Sequence, residues 1–446
     1  MTTEQDRAAI EYVLHTAREE DVKFIRLWFS DILGNMKGIA ITVEELEDAL
    51  TRGVTFDGSS IQGFARDTEW DMVLLPDPTT FRILPWRPRQ NAVARMFCDI
   101  LTPQRTPFEG DPRNVLRRCV QEANRIGLQF YVGPDMEFFY FRSPDDPTPL
   151  DRAGYFDQTP GDVATELRRE TVLNLGEMGI PVKYSHHEAA PSQHEVDLQH
   201  TDALTMADNV MTARLVIKEV ALSHNLYATF MPKPVSGLNG SGMHINMSLF
   251  KGDINAFYDA NDPLKFSLLA RQFLAGLLKH APEISIVTNQ WINSYKRLVA
   301  GYEAPVYTSW ASGNSSDLVR IPSFKPGRED SVRLESRSPD PACNPYLAFS
   351  AILTAGLAGI SNEYDVPPPV EGNVFEMTQE QRTTKGIKTL PGSLFEAITM
   401  AEGSDILRQA LGDRVVDTLL TNKRIEWERY RSQVTDYEIK EYLPLL

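Results

Sequence analysis

The amino-acid sequence predicts an α+β protein built around an antiparallel sheet. Helical and strand-like segments are mixed along the chain, without the strict alternation that a doubly wound parallel fold requires. Polar side chains recur at every second position of four strand-like segments, at residues 129–141, 193–198, 242–250 and 332–338. With 446 residues, 42% of them apolar, the chain can bury a large core in one to three domains.

The first 106 residues form one predicted unit. A helix is expected over residues 4–20, and further pieces follow in order: apolar strand-like segments at 22–29 and 35–41, a helix at 43–52 and a strand at 92–99. The stretch TPQRTPFEGDP at 102–112 is dense in proline and turn residues. We therefore predict two domains, at residues 1–106 and 107–446.

The second predicted domain begins with a helix at 112–126, entered through Pro112, because proline is tolerated at the first helical position. Another helix is expected to start at Pro345, with Asn344 as its N-cap, and to end near residue 362. Three more helices are predicted between them, at 162–178, 202–224 and 263–280.

Composition excludes several classes of protein. The net charge of −16 disfavours nucleic-acid binding, since a phosphate backbone needs a basic surface. The longest apolar run, residues 348–360, is shorter than the roughly 20 residues that cross a membrane. The N-terminus resembles no secretory signal, and three cysteines provide neither a disulfide framework nor C-x-x-C spacing. We expect a soluble, cytoplasmic protein.

The alternating polar side chains are the main functional signal. Residues two apart on a strand leave the same face, so each strand-like segment presents a row of polar groups. The rows are Asp135 and Glu137; Glu195 and Asp197; His244, Asn246 and Ser248; and Arg333, Glu335 and Arg337. A solvated sheet face is the more usual cause of such alternation.

Two observations favour an internal site instead. The first acids lie inside the strongly apolar segment FYVGPDMEFFYFR, and His244 follows the glycine-rich NGSG. Acids that face inward need cations, and oxygen ligands with one imidazole suit Mg²⁺ or Mn²⁺ better than zinc. The chain has no H-E-x-x-H, G-x-S-x-G or G-x-x-x-x-G-K-[ST] motif.

Eight segments in a fixed order resemble type I glutamine synthetases. They are FDGSS (56–60), MEFF (136–139), AGYFD (153–157), SHHE (185–188), NGSGMH (239–244), NSYKRLVAGYEAPV (293–306), RIP (320–322) and ESRSPDPACNPYLAF (335–349). The match extends over nearly the whole chain at spacings close to those of the family. The overall length and the lack of a long insertion resemble the short, alpha-type form.

This resemblance implies a fold, an assembly and a reaction. The fold has an N-terminal β-grasp domain and a catalytic domain whose antiparallel strands form a funnel surrounded by helices. Twelve subunits would form two hexameric rings with active sites between neighbours, and a transcription regulator is a conceivable partner. The implied reaction joins ammonia to L-glutamate through γ-glutamyl phosphate, with ATP as substrate and two or more Mg²⁺ or Mn²⁺ ions per site.

The resemblance also implies roles for individual residues. One metal site would use Glu137, Glu188 and Glu195, and the other Asp135, His244 and Glu335. ATP would contact Ser248, Arg320 and Arg333. Glutamate would contact Asn239, Gly240, His244, Arg297, Glu303 and Arg337. Ammonium would bind at Asp57, Ser60, Tyr155 and Glu188, with Asp57 contributed by a neighbouring subunit. The catalytic set would be Asp57, Arg297 and the flap acid Glu303, and Arg66 is a candidate sensor of glutamine.

Four positions depart from the family pattern. Asp135 replaces a usual Glu, Lys183 a frequent Glu, Ser315 a usual Arg and Asn246 a frequent His. These changes leave open a γ-glutamyl amide ligase that uses an alkylamine, ethanolamine or polyamine. They also leave open a catalytically weak relative with a regulatory or structural role.

Overall fold

A computed structural model describes residues 4–64, 70–313, 316–370 and 372–446. The described strands form two sheets, each with its own hydrophobic core. All strands of the first sheet lie before residue 102, and all strands of the second lie after residue 128. The predicted domain boundary after residue 106 lies between them and stays a prediction.

The first sheet has the strand order β2-β1-β6-β4-β3, with β5 paired to β6. Its strands are β1 (Val22–Ser30), β2 (Met36–Thr42), β3 (Val54–Asp57), β4 (Asp71–Pro76), β5 (Arg82–Ile83) and β6 (Ala92–Leu101). Strands β1 and β6 are parallel, and the other pairs are antiparallel. Helices α1 (Glu4–Glu19) and α2 (Leu46–Arg52) contribute Val13, Ala17, Leu46 and Leu50 to the core of this sheet.

The second sheet has the order β14-β15-β16-β12-β7-β9-β8, and three short strands pair outside this path. Its strands are β7 (Gln129–Phe141), β8 (Val182–His187), β9 (Gln193–Leu198), β10 (Thr201–Asp202), β11 (Tyr227–Thr229), β12 (Met243–Lys251), β13 (Ile254–Asn255), β14 (Trp310–Ala311), β15 (Val319–Arg320) and β16 (Leu334–Ser336). Its pairs are antiparallel except β14 with β15.

Eleven described α-helices follow residue 111, and all but the two at residues 379–384 and 436–442 contribute to the core around the second sheet. They are α3 (Pro112–Arg125), α4 (Thr165–Glu177), α5 (Ala203–Ser223), α6 (Leu268–Thr288), α7 (Ser294–Arg297), α8 (Pro345–Ser361), α9 (Gln379–Thr384), α10 (Leu394–Glu402), α11 (Asp405–Leu411), α12 (Asp413–Arg431) and α13 (Asp436–Tyr442). None of the described helices is both long and apolar enough to cross a membrane.

Two glycines let α6 and α8 cross in close contact. A Cβ at Gly276 would lie 2.2 Å from the carbonyl oxygen of Ala355, and a Cβ at Gly359 would lie 2.0 Å from that of Gln272. Both distances are far below van der Waals contact, so a side chain at either position would push the helices apart. This crossing fixes the helical layer behind the second sheet.

The α+β prediction is confirmed, and several element bounds match closely. The strands at 129–141 and 193–198 have the predicted bounds. Helix α8 starts as predicted, because the Asn344 side chain accepts hydrogen bonds from the backbone N–H groups of Tyr346 and Leu347. Helix α6 starts five residues later than predicted, because Ser267 is its N-cap, and it continues past Pro282. The strand predicted at 332–338 is shorter, and Arg333 and Arg337 flank it.

An Arg-centred cluster joins the two predicted domains. Arg113 in α3 donates to Asp77 and Asp99 of the first domain at 2.8 and 2.6 Å. It also donates to both carboxylate oxygens of Asp208 in α5, at 3.1 and 2.9 Å. Tyr346 completes the cluster through a 2.6 Å hydrogen bond to Asp208.

Candidate active site

A cavity of about 490 Å³ opens on one face of the second sheet. Most of the residues that the sequence assigns to a site line it: Asp135, Glu137, Tyr155, Glu188, Glu195, Asn239, Gly240, His244, Arg297, Glu303, Arg320, Arg333, Glu335 and Arg337. The alternating polar rows therefore face a shared cavity, and the interpretation as a solvated sheet face is wrong. Each row is carried by one strand or its end, so the sheet fixes the spacing between rows.

Strand register brings the rows side by side. Asp135 in β7 lies opposite His244 in β12 on one side and Asp197 in β9 on the other. Two residues further along β7, Glu137 lies opposite Glu195 in β9, and Glu195 lies opposite His186 in β8. Directly opposed residues have Cβ atoms about 5 Å apart. The antiparallel pairing thus produces two adjacent cross-strand lines of acids and imidazoles.

The carboxylates of Glu188 and Glu195 and the imidazole of His186 converge at the cross-strand line that contains Glu137. His186 Nε2 lies 3.3 Å from Glu195 Oε1, and His186 Nδ1 lies 3.7 Å from Glu188 Oε1. These three residues offer ligand atoms within 4.8 Å of one another, which fits a single metal ion. His244 Nε2 lies 3.7 Å from Glu137 Oε1, and its Nδ1 lies 3.9 Å from Glu335 Oε1. The donor set of carboxylates with imidazole fits a hard divalent cation.

Four of the cavity acids hold their protons more tightly than ordinary carboxyls. Burial raises the pKa of Glu137 to about 6. Burial, with the nearby charge of Glu137, raises the pKa of Glu188 to about 7. The same two causes raise the pKa of Glu195, and burial with Asp197 raises that of Asp135. Like charges in a buried space repel, so this arrangement favours either protons or added cations.

Hydrogen bonds hold individual acids in place. Glu137 Oε2 accepts from the Gln193 side chain and from the Gly242 backbone N–H, each at 2.9 Å. Asp135 accepts from Asn246 Nδ2 at 2.8 Å. These bonds use one oxygen of each acid and fix the direction of the other, which is what a preorganised ligand site requires.

Arginines line the opposite side of the cavity. Arg320 donates to Glu335 at 3.1 Å, and Arg337 donates to the other oxygen of Glu335. Arg333 donates to Asn246 Oδ1 at 2.7 Å. The cavity thus has an acidic side on β7 and β9 and a basic side on β15 and β16. A planar guanidinium offers paired donors to carboxylate or phosphate oxygens.

Arg297 is placed differently from the other arginines. It is 2% exposed, and its guanidinium donates to the backbone carbonyls of Ser338 at 2.7 Å and Arg337 at 2.9 Å. It therefore anchors the segment that carries Arg337, as well as lining the cavity. Glu303 lies at the exposed mouth, where Oε2 accepts from Asn239 Nδ2 at 3.2 Å.

A second cavity of about 340 Å³ adjoins the first. Asp135, Asn246 and Arg333 line both cavities. Ser248 and Lys183 line only the second. The Lys183 ammonium lies 4.8 Å from the centre of the Tyr184 ring. The shared acid and arginine connect the two spaces, so an extended ligand fits across both.

Three predicted site residues do not line the first cavity among the described residues: Asp57, Ser60 and Ser248. Asp57 ends β3 in the first sheet, and its carboxylate accepts from the Ser59 backbone and hydroxyl at 2.9 and 2.8 Å. Arg66 and Ser315 lie outside the described residues. Their predicted roles stay predictions.

Two residues beside the cavity acids were missing from the predicted site. Gln193, which lines the cavity, is two positions before Glu195 and continues its period-2 row. His186 is two positions before Glu188, in a segment where no strand was predicted. The pattern did not show that Gln193 would hold Glu137, because that contact joins residues on different strands.

The comparisons with known proteins agree with this architecture. The family model "Glutamine synthetase, beta-Grasp domain" matches residues 21–103, and "Glutamine synthetase, catalytic domain" matches residues 109–442. A glutamine synthetase of Mycobacterium tuberculosis H37Rv is 52% identical over 441 residues, which cover 98% of this chain and 99% of the relative. One of Methanosarcina mazei is 49% identical and covers 98% of each chain. A solved GmaS/ADP complex has a TM-score of 0.88, with 29% identity and complete coverage of both chains.

A β-grasp domain joined to a catalytic domain with an acid- and arginine-lined cavity defines a class of ATP- and metal-dependent enzymes. Within this class, the chain belongs to the glutamine synthetase family. The resemblance predicted from eight short segments is therefore confirmed. Family membership implies the use of ATP and a divalent metal.

Proposed function

We propose that this chain ligates ammonia to the γ-carboxylate of L-glutamate, with γ-glutamyl phosphate as intermediate and glutamine, ADP and phosphate as products. The observation that carries the proposal is the division of one cavity into a carboxylate side and an arginine side. The carboxylate side can hold metal ions and a small cation, and the arginine side can hold anionic substrate groups. The glutamine synthetase relatives at about 50% identity support ammonia as the amine, so the amide-ligase alternative is not favoured.

Two acid groups are proposed as metal ligands, namely Glu137, Glu188 and Glu195, and Asp135, His244 and Glu335. His186 is added to the first group because its ring lies 3.3 Å from Glu195. Mg²⁺ or Mn²⁺ at these sites would supply positive charge that neutralises phosphate oxygens during transfer. The neutral form of His244 is favoured, because burial and the nearby Arg337 lower its pKa.

The arginine side is proposed to orient ATP and glutamate. Arg320 and Arg333 stand at the cavity edge, where their forked donors can hold phosphate oxygens, and Ser248 would contact the nucleotide in the second cavity. Arg337, supported by the buried Arg297, would bind a glutamate carboxylate, with Asn239 and Gly240 near its backbone end. Phosphoryl transfer depends mainly on such positioning and charge neutralisation.

Glu303 is proposed to close the site. It lies at the exposed mouth with φ of 54°, a backbone conformation that is costly for a residue with a side chain. Its contact with Asn239 connects its loop to the glutamate side. A closed mouth would exclude water from the acyl phosphate, so that ammonia and not water attacks it.

Ammonium binding is proposed to require two subunits. Tyr155 and Glu188 line the cavity. Asp57 ends β3 of the first sheet, Ser60 lies in the 3-10 turn that follows it, and neither lines the cavity within the described chain. A neighbouring subunit that presented its Asp57 to this cavity would complete the set. Asp57 would then accept the proton that makes ammonium nucleophilic. A dodecamer of two hexameric rings, with sites between neighbours, would provide this geometry.

The test is Asp57→Ala, with Asp71→Ala as its matched control. Asp71 is the exposed acid directly opposite Asp57 in the first sheet. Asp57→Ala should lower glutamine formation by about 100-fold or more, because the amine step loses its base, and leave ADP binding unchanged. Asp71→Ala should keep normal activity. Near-normal glutamine formation by Asp57→Ala would remove this residue from the mechanism.

Mixed oligomers test the shared site. Co-expressed chains carrying either Asp57→Ala or Glu188→Ala are each expected to be inactive alone. In a mixed ring, some cavities would combine an intact Asp57 from one subunit with an intact Glu188 from the next. Activity should therefore return in the mixture, and its absence would place Asp57 outside the neighbouring site.

A further inference from the structure

A buried polar cluster lies on the face of β8 and β9 that points away from the cavity. Successive side chains of a strand point to opposite faces, so His187 and His194 face the interior while His186 and Glu195 face the cavity. Both interior histidines are fully buried, and their ring centres are 4.8 Å apart in an edge-to-face arrangement. None of the residues assigned to substrates belongs to this cluster.

His187 bridges two acceptors. Its Nδ1 lies 2.7 Å from the backbone carbonyl oxygen of Glu188, and its Nε2 lies 3.3 Å from both carboxylate oxygens of Asp151. Both ring nitrogens therefore face oxygen atoms that accept hydrogen bonds. The Asp151 side chain is 2% exposed, so water does not replace these contacts.

The neighbouring contacts exclude a metal ion from this cluster. Asp151, His187 and His194 are close enough to hold one. However, His194 Nδ1 lies 2.9 Å from Arg168 Nη1, which can only donate, so this nitrogen must accept and Nε2 must carry the hydrogen. A protonated Nε2 has no lone pair for a metal. The Arg168 charge is compensated by Asp162 at 2.5 Å.

The cluster connects two elements of the proposed ammonium site. Residues 150–164, all of which the structure describes, contain no helix or strand, and they include Tyr155. This loop is bound to the β8–β9 hairpin at two places. Asp151 Oδ1 accepts from the Ser192 backbone N–H at 2.8 Å, and the Phe156 backbone N–H donates to the His187 carbonyl at 3.1 Å.

We propose that the Asp151–His187 pair is a positioning device for the amine substrate. It holds the loop of Tyr155 against the backbone of Glu188, so that the phenol and the carboxylate keep a fixed separation. The inference rests on the proposed function, because that function assigns Tyr155 and Glu188 to ammonium. Asp151 and His187 are positioning residues, since neither lines the cavity.

The test is Asp151→Ala, with steady-state constants measured for ammonia, glutamate and ATP. Displacing a positioned group by about 1 Å can cost on the order of 100-fold, so the KM for ammonia should rise at least about tenfold. The KM values for glutamate and ATP should stay within about twofold, because their proposed contacts lie on other strands. Asp151→Asn should recover most of the loss, since its amide can donate to His187 Nε2 while its oxygen still accepts from Ser192.

Two variants serve as controls. Asp146→Ala removes a half-buried acid five residues earlier, whose carboxylate accepts from the Thr148 backbone N–H, and it should change none of the three constants. In a Tyr155→Phe background, Asp151→Ala should add little further loss, because the positioned hydroxyl is already gone. If the effects of Asp151→Ala and Tyr155→Phe on the KM for ammonia were additive in the double variant, Asp151 would not act through Tyr155.

The three KM values and kcat of the Asp151→Ala variant decide whether Asp151 and His187 position the amine site. An equal change in all three KM values, a fall in kcat alone or no change at all would overturn it. If Asp151→Ala does not fold, His187→Gln is judged by the same constants. A wild-type protein that makes no glutamine would refute the proposed function itself, whereas in a wild-type protein that makes glutamine these constants decide the positioning role alone.

Discussion

Two clusters of acids in this protein have opposite electrostatic character. In the Arg113 cluster, the half-buried Asp77 and Asp99 and the buried Asp208 surround a guanidinium that the chain itself supplies. In the cavity, the acids of β7 and β9 face one another, and the arginines of the cavity bind Glu335, Asn246 and backbone carbonyls instead of these acids. Burial raises the pKa of Asp77, but the Arg113 charge together with hydrogen bonds from Thr79 and Arg113 outweighs burial, and the net pKa is lowered. The pKa of Glu188 is instead raised to about 7.

The contrast between the two clusters distinguishes acids that stabilise the fold from acids that bind a ligand. Acids that are paired with arginine within the fold help to join the two predicted domains, and they do not need an added cation. Acids of one sign left facing each other destabilise the folded chain until cations arrive, which makes them a binding site. Both kinds occur in the same chain, so burial and acidity alone do not identify function.

The largest expected effect comes from Arg113→Met. Removing the cation leaves the buried Asp208 without its ion pair, although Arg117 still pairs with Asp99 at 2.6 Å. Breaking a buried ion pair typically costs about 3–5 kcal/mol. The free energy of unfolding, measured by urea denaturation, should fall by that amount. Arg125→Met on the same helix is the control, because Arg125 pairs with Glu122 at the surface and should change the free energy by less than about 0.5 kcal/mol. A similar small change for both variants would mean that the Arg113 cluster does not hold the domains together.

Glu137→Gln should instead lower the activity without lowering the stability of the metal-free protein. Losing a metal-ligand charge should lower glutamine formation by about 100-fold or more, in line with losses of positioned charge at catalytic sites. The melting temperature of the metal-free protein should stay equal or rise, because repulsion with Glu188 and Glu195 is reduced. Glu122→Gln at the surface should change neither quantity. A lower metal-free melting temperature with retained activity would make Glu137 a structural acid.

The smallest expected effect is a pH dependence of metal binding. Folded-state pKa values of about 6 for Glu137 and about 7 for Glu188 lie above ordinary carboxyl values. Between about pH 4.5 and pH 7, each of these two carboxyls therefore binds more proton in the metal-free folded chain than in the unfolded chain. The stability that these two groups contribute should fall as pH rises through this range. Metal binding must displace these protons, so Mn²⁺ affinity should rise between pH 6 and pH 8.

Calorimetric titration of Mn²⁺ in two buffers of different ionisation enthalpy measures the displaced protons. Proton release should be present at pH 6.5 and nearly absent at pH 8.5. Glu188→Gln should reduce the release at pH 6.5, because its side chain carries no titratable proton. Equal heats in both buffers at pH 6.5 would contradict the raised pKa values.

Several elements were predictable because their signals are local. The strand over 129–141 is fixed by apolar and aromatic residues with acids on alternate positions, and α8 by Asn344 and Pro345 at its start. The late start of α6 was not predictable in this way. Asp262 and Ser267 both suit an N-cap, and only the turn at Asp262, which accepts from Leu264 and Phe266, decided between them.

The sequence by itself determined the family, the α+β class and the alternating rows, because motifs and period-2 patterns depend on neighbours along the chain. Only the tertiary structure decided which face of the sheet encloses a cavity, and which acids meet across strands. Asp135 and His244 are 109 positions apart, and Arg113 and Asp208 are 95 apart. Such pairs depend on strand register and helix packing, which follow from the burial of the whole core and not from any single segment.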